Sequence, residues 1–269
     1  RATLTVAAAM SSRSPFISPL DKRELADAAR KQFAVGHSDV LTARRCFDEW
    51  RELKRAGGGQ RAERAWCLEN FVSRNTLQMM EQMRRQFAEQ LVQIGFLPRG
   101  FRADDDGDDS GGGRRSRARE LRGVGDAATT RDDDADADVA LVKAVLCAGA
   151  YPNVMTAPPD LPVTGVRSGE EAPSGGKGGG KGGRPKTAGD VQLRSTQHGG
   201  VHLHPCCLIF RASSLDWRHL VYHELVRTTK VYARDATTVS PLQMLLFGGR
   251  VSVHHERQLV SLDGHHHFR

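Results

Sequence analysis

Glycine and lysine alternate in "GGKGGGKGG", residues 175–183, where Gly175, Gly180 and Lys181 satisfy the G-x-x-x-x-G-K spacing of a phosphate-binding loop. Such a loop needs a Ser or Thr next for Mg²⁺, a strand before it and a helix after it, so that backbone amides and a helix dipole point at phosphate. Here Gly182 follows, Arg184-Pro185 blocks a helix and no strand precedes, so a flexible basic linker is expected. "HLHPCC" (202–207) and "HHERQLVSLDGHHH" (254–267) offer zinc-ligand residue types. His202 and His204 share one face of a strand while adjacent Cys206 and Cys207 point to opposite faces, and no C-x-x-C pair supplies a tetrahedral site. Core thiols and exposed imidazoles, with no metal, are expected. No Ser/His/Asp arrangement or paired-carboxylate signature stands out, and no catalytic residue is assigned.

The remaining chemistry is basic. In "VYHELVRTTKVYARDATTVSPLQMLLFGG" (221–249), Arg227, Lys230 and Arg234 lie with Thr228, Thr229, Tyr222 and His223 at or beside a hairpin bend. Arginine and lysine neutralise phosphate, hydroxyls meet phosphate or a ribose 2′-OH, and an aromatic face stacks on a base. The same residues also suit an ordinary solvated edge, since Lys and Arg guard exposed strands against pairing. A second polar cluster, Arg74, Asn75 and Gln78, opens a long amphipathic helix. Asn75 as N-cap with Gln78 three residues on reads as a capping pair that needs no ligand.

The elements that must position these groups fall into two kinds. "TLTVAAAM" reads as helix interior met directly after Arg1, so a fragment is expected. Asp21 with Glu24 forms a capping box for a helix with Leu25, Ala28, Ala29 and Phe33 on one face. A helix from Ser38 buries Val40, Ala43, Phe47 and Trp50, a third spans 62–72, and a fourth runs from Asn75 to Gly95. Residues 1–102 therefore form a helical domain. Residues 103–138, with acidic blocks around an Arg-rich centre, and 157–190, rich in Gly, Lys and Pro, are expected to be disordered inserts. Between them, 139–156 holds a helix that completes or bridges the helical domain. From 191 the hydrophobic period falls to two: Val201 and Leu203 alternate with histidines, and "CLIFRA", "HLVYHELV", "KVYARD" and "RVSVHH" read as strands, with Ser240-Pro241 opening a short helix. The fold class is α+β, a helical bundle followed by a small OB-type β-barrel over 191–269, with a small β-sandwich as the alternative.

A formal net charge of +7 favours an anionic partner. Five scattered cysteines argue for a reducing compartment, nucleus or cytoplasm. No run approaches the roughly 18 apolar residues of a membrane span, so no membrane partner is expected.

Five blocks in order, "SPFISPLDKRELADAARKQFA", "HSDVLTARRCFDEW", "CLENFVSRNTLQMMEQMRRQF", "LVKAVLCAGAYPNV" and the 221–249 stretch, resemble the C-terminal region of DEAH-box (DEAH/RHA) RNA helicases. The resemblance implies a helicase-associated, ratchet-like helical domain and an OB-fold that close over single-stranded RNA beside two RecA-like motor domains. It places Arg74, Asn75 and Gln78 at the RNA channel and Tyr222, His223, Arg227, Thr228, Lys230 and Arg234 at the barrel's RNA-side loop. It also implies a protein activator docked on the OB-fold. The parent enzyme would use ATP and Mg²⁺. This sequence has no Walker A motif, DEAH box or arginine finger, so ATP hydrolysis by this chain alone is not expected. Where the family often has "HPSS", His204-Pro205-Cys206-Cys207 stands, and histidines occupy "LDGHHHFR" where apolar residues are common.

Overall fold

A computed structural model describes residues 2–104, 129–164 and 187–268, with backbone alone for 129–138. The Gly/Lys-rich 175–183 stretch and most of both expected inserts lie outside the described residues. Their margins are packed: Ala103, Ala157, Leu161 and Ala188 are buried.

The helical half comprises α1 (Ala2–Met10), α2 (Arg23–Lys31), α3 (Asp39–Arg55), α4 (Gly59–Glu69) and α5 (Arg74–Gln93). In α3 the expected face is the buried one, with Val40, Ala43, Phe47 and Trp50 all inside and the Ser38 hydroxyl accepting from the Leu41 amide at its start. Phe33, Cys46, Phe47, Trp50, Leu77 and Met80 form the centre of this core. Two expected details differ. The N-cap of α2 is Lys22, without a side-chain cap, and Ala26 is its buried residue while Leu25 stays 62% exposed. Helix α5 is capped by Ser73, whose hydroxyl accepts from the Thr76 amide, so Asn75 lies inside the first turn instead of at the cap. The β-bridge between Phe16 and Val72 sets the chain direction just before Ser73 and so selects the cap.

Helix α6 (Thr129–Ala150) joins the halves. Leu146 packs with Val6, Val40 and Leu41 of the helical half, while Cys147 packs with Val154, Val221 and Val239 of the barrel. One residue of offset on a helix turns the side chain by about 100°, and that offset lets a single helix serve both cores.

The barrel strands are β1 (Val154–Thr156), β2 (Leu193–Ser195), β3 (Gly199–Leu203), β4 (His219–Val221), β5 (Glu224–Arg227), β6 (Val231–Arg234) and β7 (Thr237–Val239). They form one curled mixed sheet in the order β5-β6-β3-β2-β1-β4-β7, in which β3 and β6 run parallel. A smaller sheet, β10-β9-β8, holds β8 (Val251–His254), β9 (Leu259–Leu262) and β10 (His266–Phe268). The segment read as strand "CLIFRA" is instead a 3₁₀ turn over Leu208–Arg211, with Ile209 fully buried. The short helix α7 (Pro241–Phe247) carries the expected proline at its first turn. Its Ser240 and Gln243 cap each other reciprocally.

The last strand packs through its histidines: His266 is 7% exposed and lies edge-on to His219 of β4, 5.6 Å between ring centres. Burial, then the charges of His266 and Arg218, push the His219 imidazole down from 6.5 to about 4. A group depressed in the folded state takes up its proton first in the unfolded chain. Stability therefore falls as pH drops from about 6.5 to about 4 and levels off below. The expected loss is about 3 kcal/mol over that window. Asp235, raised to about 7 by burial and by Asp39, contributes the opposite slope. The comparison with His219→Leu cancels it. Urea titrations at pH 7 and pH 4.5 should show the wild type losing about 2–3 kcal/mol more than the variant. Equal losses would show that His219 titrates normally.

Candidate nucleic-acid interface

Strands β5 and β6 form the hairpin, with Glu224 opposite Arg234, Leu225 opposite Ala233, Val226 opposite Tyr232 and Arg227 opposite Val231. The Thr228 amide donates to the Lys230 carbonyl at 3.0 Å and closes the bend. Strand alternation then sorts the side chains. Ala233 is fully buried, so Leu225, Val231 and Ala233 line the core face, and Arg227 extends that face past the strand end into solvent. Tyr232, Arg234, Glu224 and Val226 occupy the opposite face. Arg227, Thr228, Thr229 and Lys230 are all exposed, as is His223.

Tyr222 does not belong to this surface. It is 2% exposed within the barrel core, and its hydroxyl has no partner among the described residues, so its ring has no free face for a base. The aromatic on the open face is Tyr232, half-buried between His202 (6.2 Å) of the neighbouring β3 and His204 (5.9 Å) just past its end. Parallel pairing sets His202 directly beside Tyr232. Burial first, then the charge of Lys230, lowers the His202 pKa, which keeps this ring neutral at physiological pH. The signal for Tyr232 was present in "KVYARD", whose alternation puts Tyr232 and Arg234 on one face. No local signal placed β3 alongside. His202 and His204 are ring neighbours of Tyr232, and among the described residues no three His, Cys, Asp or Glu side chains are grouped to hold a metal.

The Arg74 cluster sits elsewhere, at the start of α5. Arg74 donates to Glu63 at 3.0 Å, and Glu63 in turn accepts from the Trp50 indole at 3.0 Å. Arg74 is thereby committed to an internal ion pair. Asn75 is exposed and Gln78 half-buried, free of the capping role read for them. Among the described residues no hydrogen bond or ion pair joins this cluster to the hairpin.

The family model of the oligonucleotide/oligosaccharide-binding (OB)-fold matches residues 142–251. The chain is 31% identical over 263 residues to the ATP-dependent DNA/RNA helicase DHX36 of Rattus norvegicus, across 97% of this chain and 21% of that protein. It is 31% identical over 249 residues to the DExH-box ATP-dependent RNA helicase DExH1 of Arabidopsis thaliana, across 92% of this chain and 19% of that one. To the ATP-dependent RNA helicase DHX29 of Mus musculus it is 30% identical over 262 residues, across 97% and 16%. The chain belongs to the DEAH-box RNA helicase family. It is a helicase accessory region, a helical half followed by an OB-fold, and spans about a fifth of the length of these curated relatives.

In this DEAH-box accessory region a polar joint holds the two halves together. Ser38 pairs with Thr237 as an added rung on the edge of β7, through Asp39 N–H to Ala236 C=O (3.0 Å) and Thr238 N–H to His37 C=O (2.8 Å). The Ser38 and Thr237 hydroxyls meet at 2.8 Å. Asp39, 4% exposed, accepts from the Leu208 amide (2.6 Å), the Ala236 amide (3.1 Å) and Arg30 (2.9 Å). Beside it, Asp216 receives the His37 amide at 3.1 Å and faces Lys143 of α6 at 3.4 Å. Burial works to raise the Asp216 carboxyl, but His37 and Lys143 more than reverse this and hold it well below the usual carboxylate range. Lys143 is lowered by its own burial, which Asp216 partly offsets. No helix of the described residues is long and apolar enough to cross a membrane.

Proposed function

We propose that this region grips single-stranded RNA on the barrel, beside the RecA-like motor domains of an ATP-dependent helicase. The observation that carries the reading is the open face of β3 and β6, where Tyr232 between two imidazoles lies with Arg234, itself 3.9 Å from Glu224, next to a bend that exposes Arg227, Thr228 and Lys230. An aromatic platform flanked by cations binds a strand through stacking and phosphate neutralisation, with little need for base identity. Asn75 and Gln78 are the first cluster's remaining candidates for contact, whereas Arg74 is committed to Glu63 and Tyr222 to the barrel core. ATP and Mg²⁺ would be held by the motor domains, whose motifs this sequence does not contain.

Protein docking on the barrel is the second reading, favoured by Leu242, Leu246 and Val253, which are 64%, 66% and 54% exposed. Fluorescence anisotropy with a labelled single-stranded RNA separates the two. Tyr232→Ala should weaken binding about tenfold, the loss of one stacked base, while Tyr222→Phe leaves it unchanged. Unaltered affinity in Tyr232→Ala would remove the platform from the RNA reading.

A further inference from the structure

A cleft of about 390 Å³ lies between the helical half and the barrel, with Arg23, Arg30, Phe210, Arg211, His204 and Cys206 on its walls. We propose that this cleft is a thiol-modification site in which Cys206 forms a mixed disulfide with a small anionic thiol of the glutathione class. The volume is that of a pocket for a small ligand. Cys206 is exposed, whereas Cys46, Cys67, Cys147 and Cys207 are buried free thiols. The His204 Nδ1 atom stands 2.8 Å from the Cys206 Sγ and also accepts the Cys206 amide at 3.2 Å. The imidazole thus lies directly against the sulfur, the Cys-His neighbourhood in which a cysteine nucleophile is activated.

The charges around the sulfur come from several elements. Arg30 of α2 donates to the Cys206 carbonyl, Arg234 of β6 reaches His204, and Asp39 and Asp235 oppose them. The Cys207 thiol first, then His204, outweigh burial and Asp39 and bring the Cys206 thiol down to about 6, so that it is largely thiolate at neutral pH. Asp27 also lines the cleft but is paired with Arg211, and Arg30 is paired with Asp39, whereas Arg23 makes no ion pair among the described residues. That leaves one uncompensated cation on the wall, which favours an anionic guest.

In the reaction the Cys206 thiolate, beside His204, attacks one sulfur of a disulfide. A new S–S bond forms as the old one breaks. The leaving thiolate carries away the electron pair and takes up a proton, so that Cys206 is oxidised and the departing half is reduced.

The test is incubation of the full chain with glutathione disulfide, followed by peptide mass mapping. It uses no RNA and so stands apart from the RNA reading. Cys206 should carry the adduct, the rate should rise through a midpoint near pH 6, and Cys206→Ser should abolish it. His204→Gln should slow the reaction at pH 6.5 about tenfold and move the midpoint toward the ordinary value of roughly 8.5. Should that variant lose its circular-dichroism signature, His204→Asn takes its place. Arg23→Gln should slow glutathione disulfide severalfold while leaving the cationic disulfide cystamine unaffected. Adducts on the buried cysteines instead, or a midpoint near 8.5 in the unmodified sequence, would overturn the site. Equal rates with both disulfides would overturn its preference for anions.

Discussion

Replacing Asp39 with alanine should loosen the barrel from the helical half and cost about 3–5 kcal/mol of stability. The size follows from what the carboxylate holds. It is 4% exposed and satisfies two main-chain amides from different barrel segments, Leu208 and Ala236, together with Arg30 of α2. Its loss leaves the Arg30 guanidinium, only 13% exposed, without its counter-ion, and leaves the two amides without an acceptor. Asp39→Asn keeps an acceptor oxygen but no charge and should fall between the alanine variant and the wild type. Ser38→Ala removes two hydroxyl contacts, to Thr237 at 2.8 Å and to the Leu41 amide at 3.2 Å, and should cost about 1–3 kcal/mol. Urea unfolding followed by hydrogen exchange would distinguish the outcomes. The wild type should protect both halves to a similar free energy, and the alanine variant should expose β7 and the 3₁₀ turn before the helical core. A single unsplit transition with a loss under about 1 kcal/mol would mean that the α6 packing alone joins the halves.

Reversing charge at Arg227 and Lys230 together, to glutamate, should weaken single-stranded RNA binding about 100-fold or more at low salt. Both side chains are exposed and both flank the bend, so the substitutions remove no packing. Each cation on a phosphate contributes about 0.7 to the slope of log affinity against log salt for a single strand. The slope should therefore shrink by about 1.4, in addition to the loss of affinity. Sequence preference should stay weak in wild type and variant alike, because contacts to phosphate carry no base identity. If affinity and slope both survive the reversal, the bend is an ordinary solvated edge, and the weight moves to protein docking at Leu242 and Leu246.

Several features were legible in the residues because the physics that sets them is local. Ser38 caps α3, and Val40, Ala43, Phe47 and Trp50 recur on one side of it, since three- and four-residue spacing on a helix leaves little choice of face. Ser240 and Pro241 announced the start of α7. The family likeness added the OB-fold, which alternation by itself left open against a sandwich.

Other features depended on partners far along the chain. Alternation says that Tyr222 and Tyr232 each sit on some face of a strand, but not which face meets the core. That was decided when β4 closed beside β1 and β6 settled parallel to β3, burying Tyr222 and leaving Tyr232 between His202 and His204. The "CLIFRA" stretch has strand composition, yet its backbone turns as a 3₁₀ segment, where Asp39, 169 residues earlier, accepts the Leu208 amide. Arg74 looked like a free cation until Glu63 came within 3.0 Å of it. The joint between the halves rests on Ser38 and Thr237, 199 residues apart, and no periodicity could announce it. The residues by themselves determined the helices, the starts of α3 and α7 and the basic character of the bend, because those depend on neighbours a turn away. Which aromatic ring faces outward, which arginine is free and how the halves are fastened were decided only by tertiary structure, because strand register and buried charge pairing are set by closure of the whole chain.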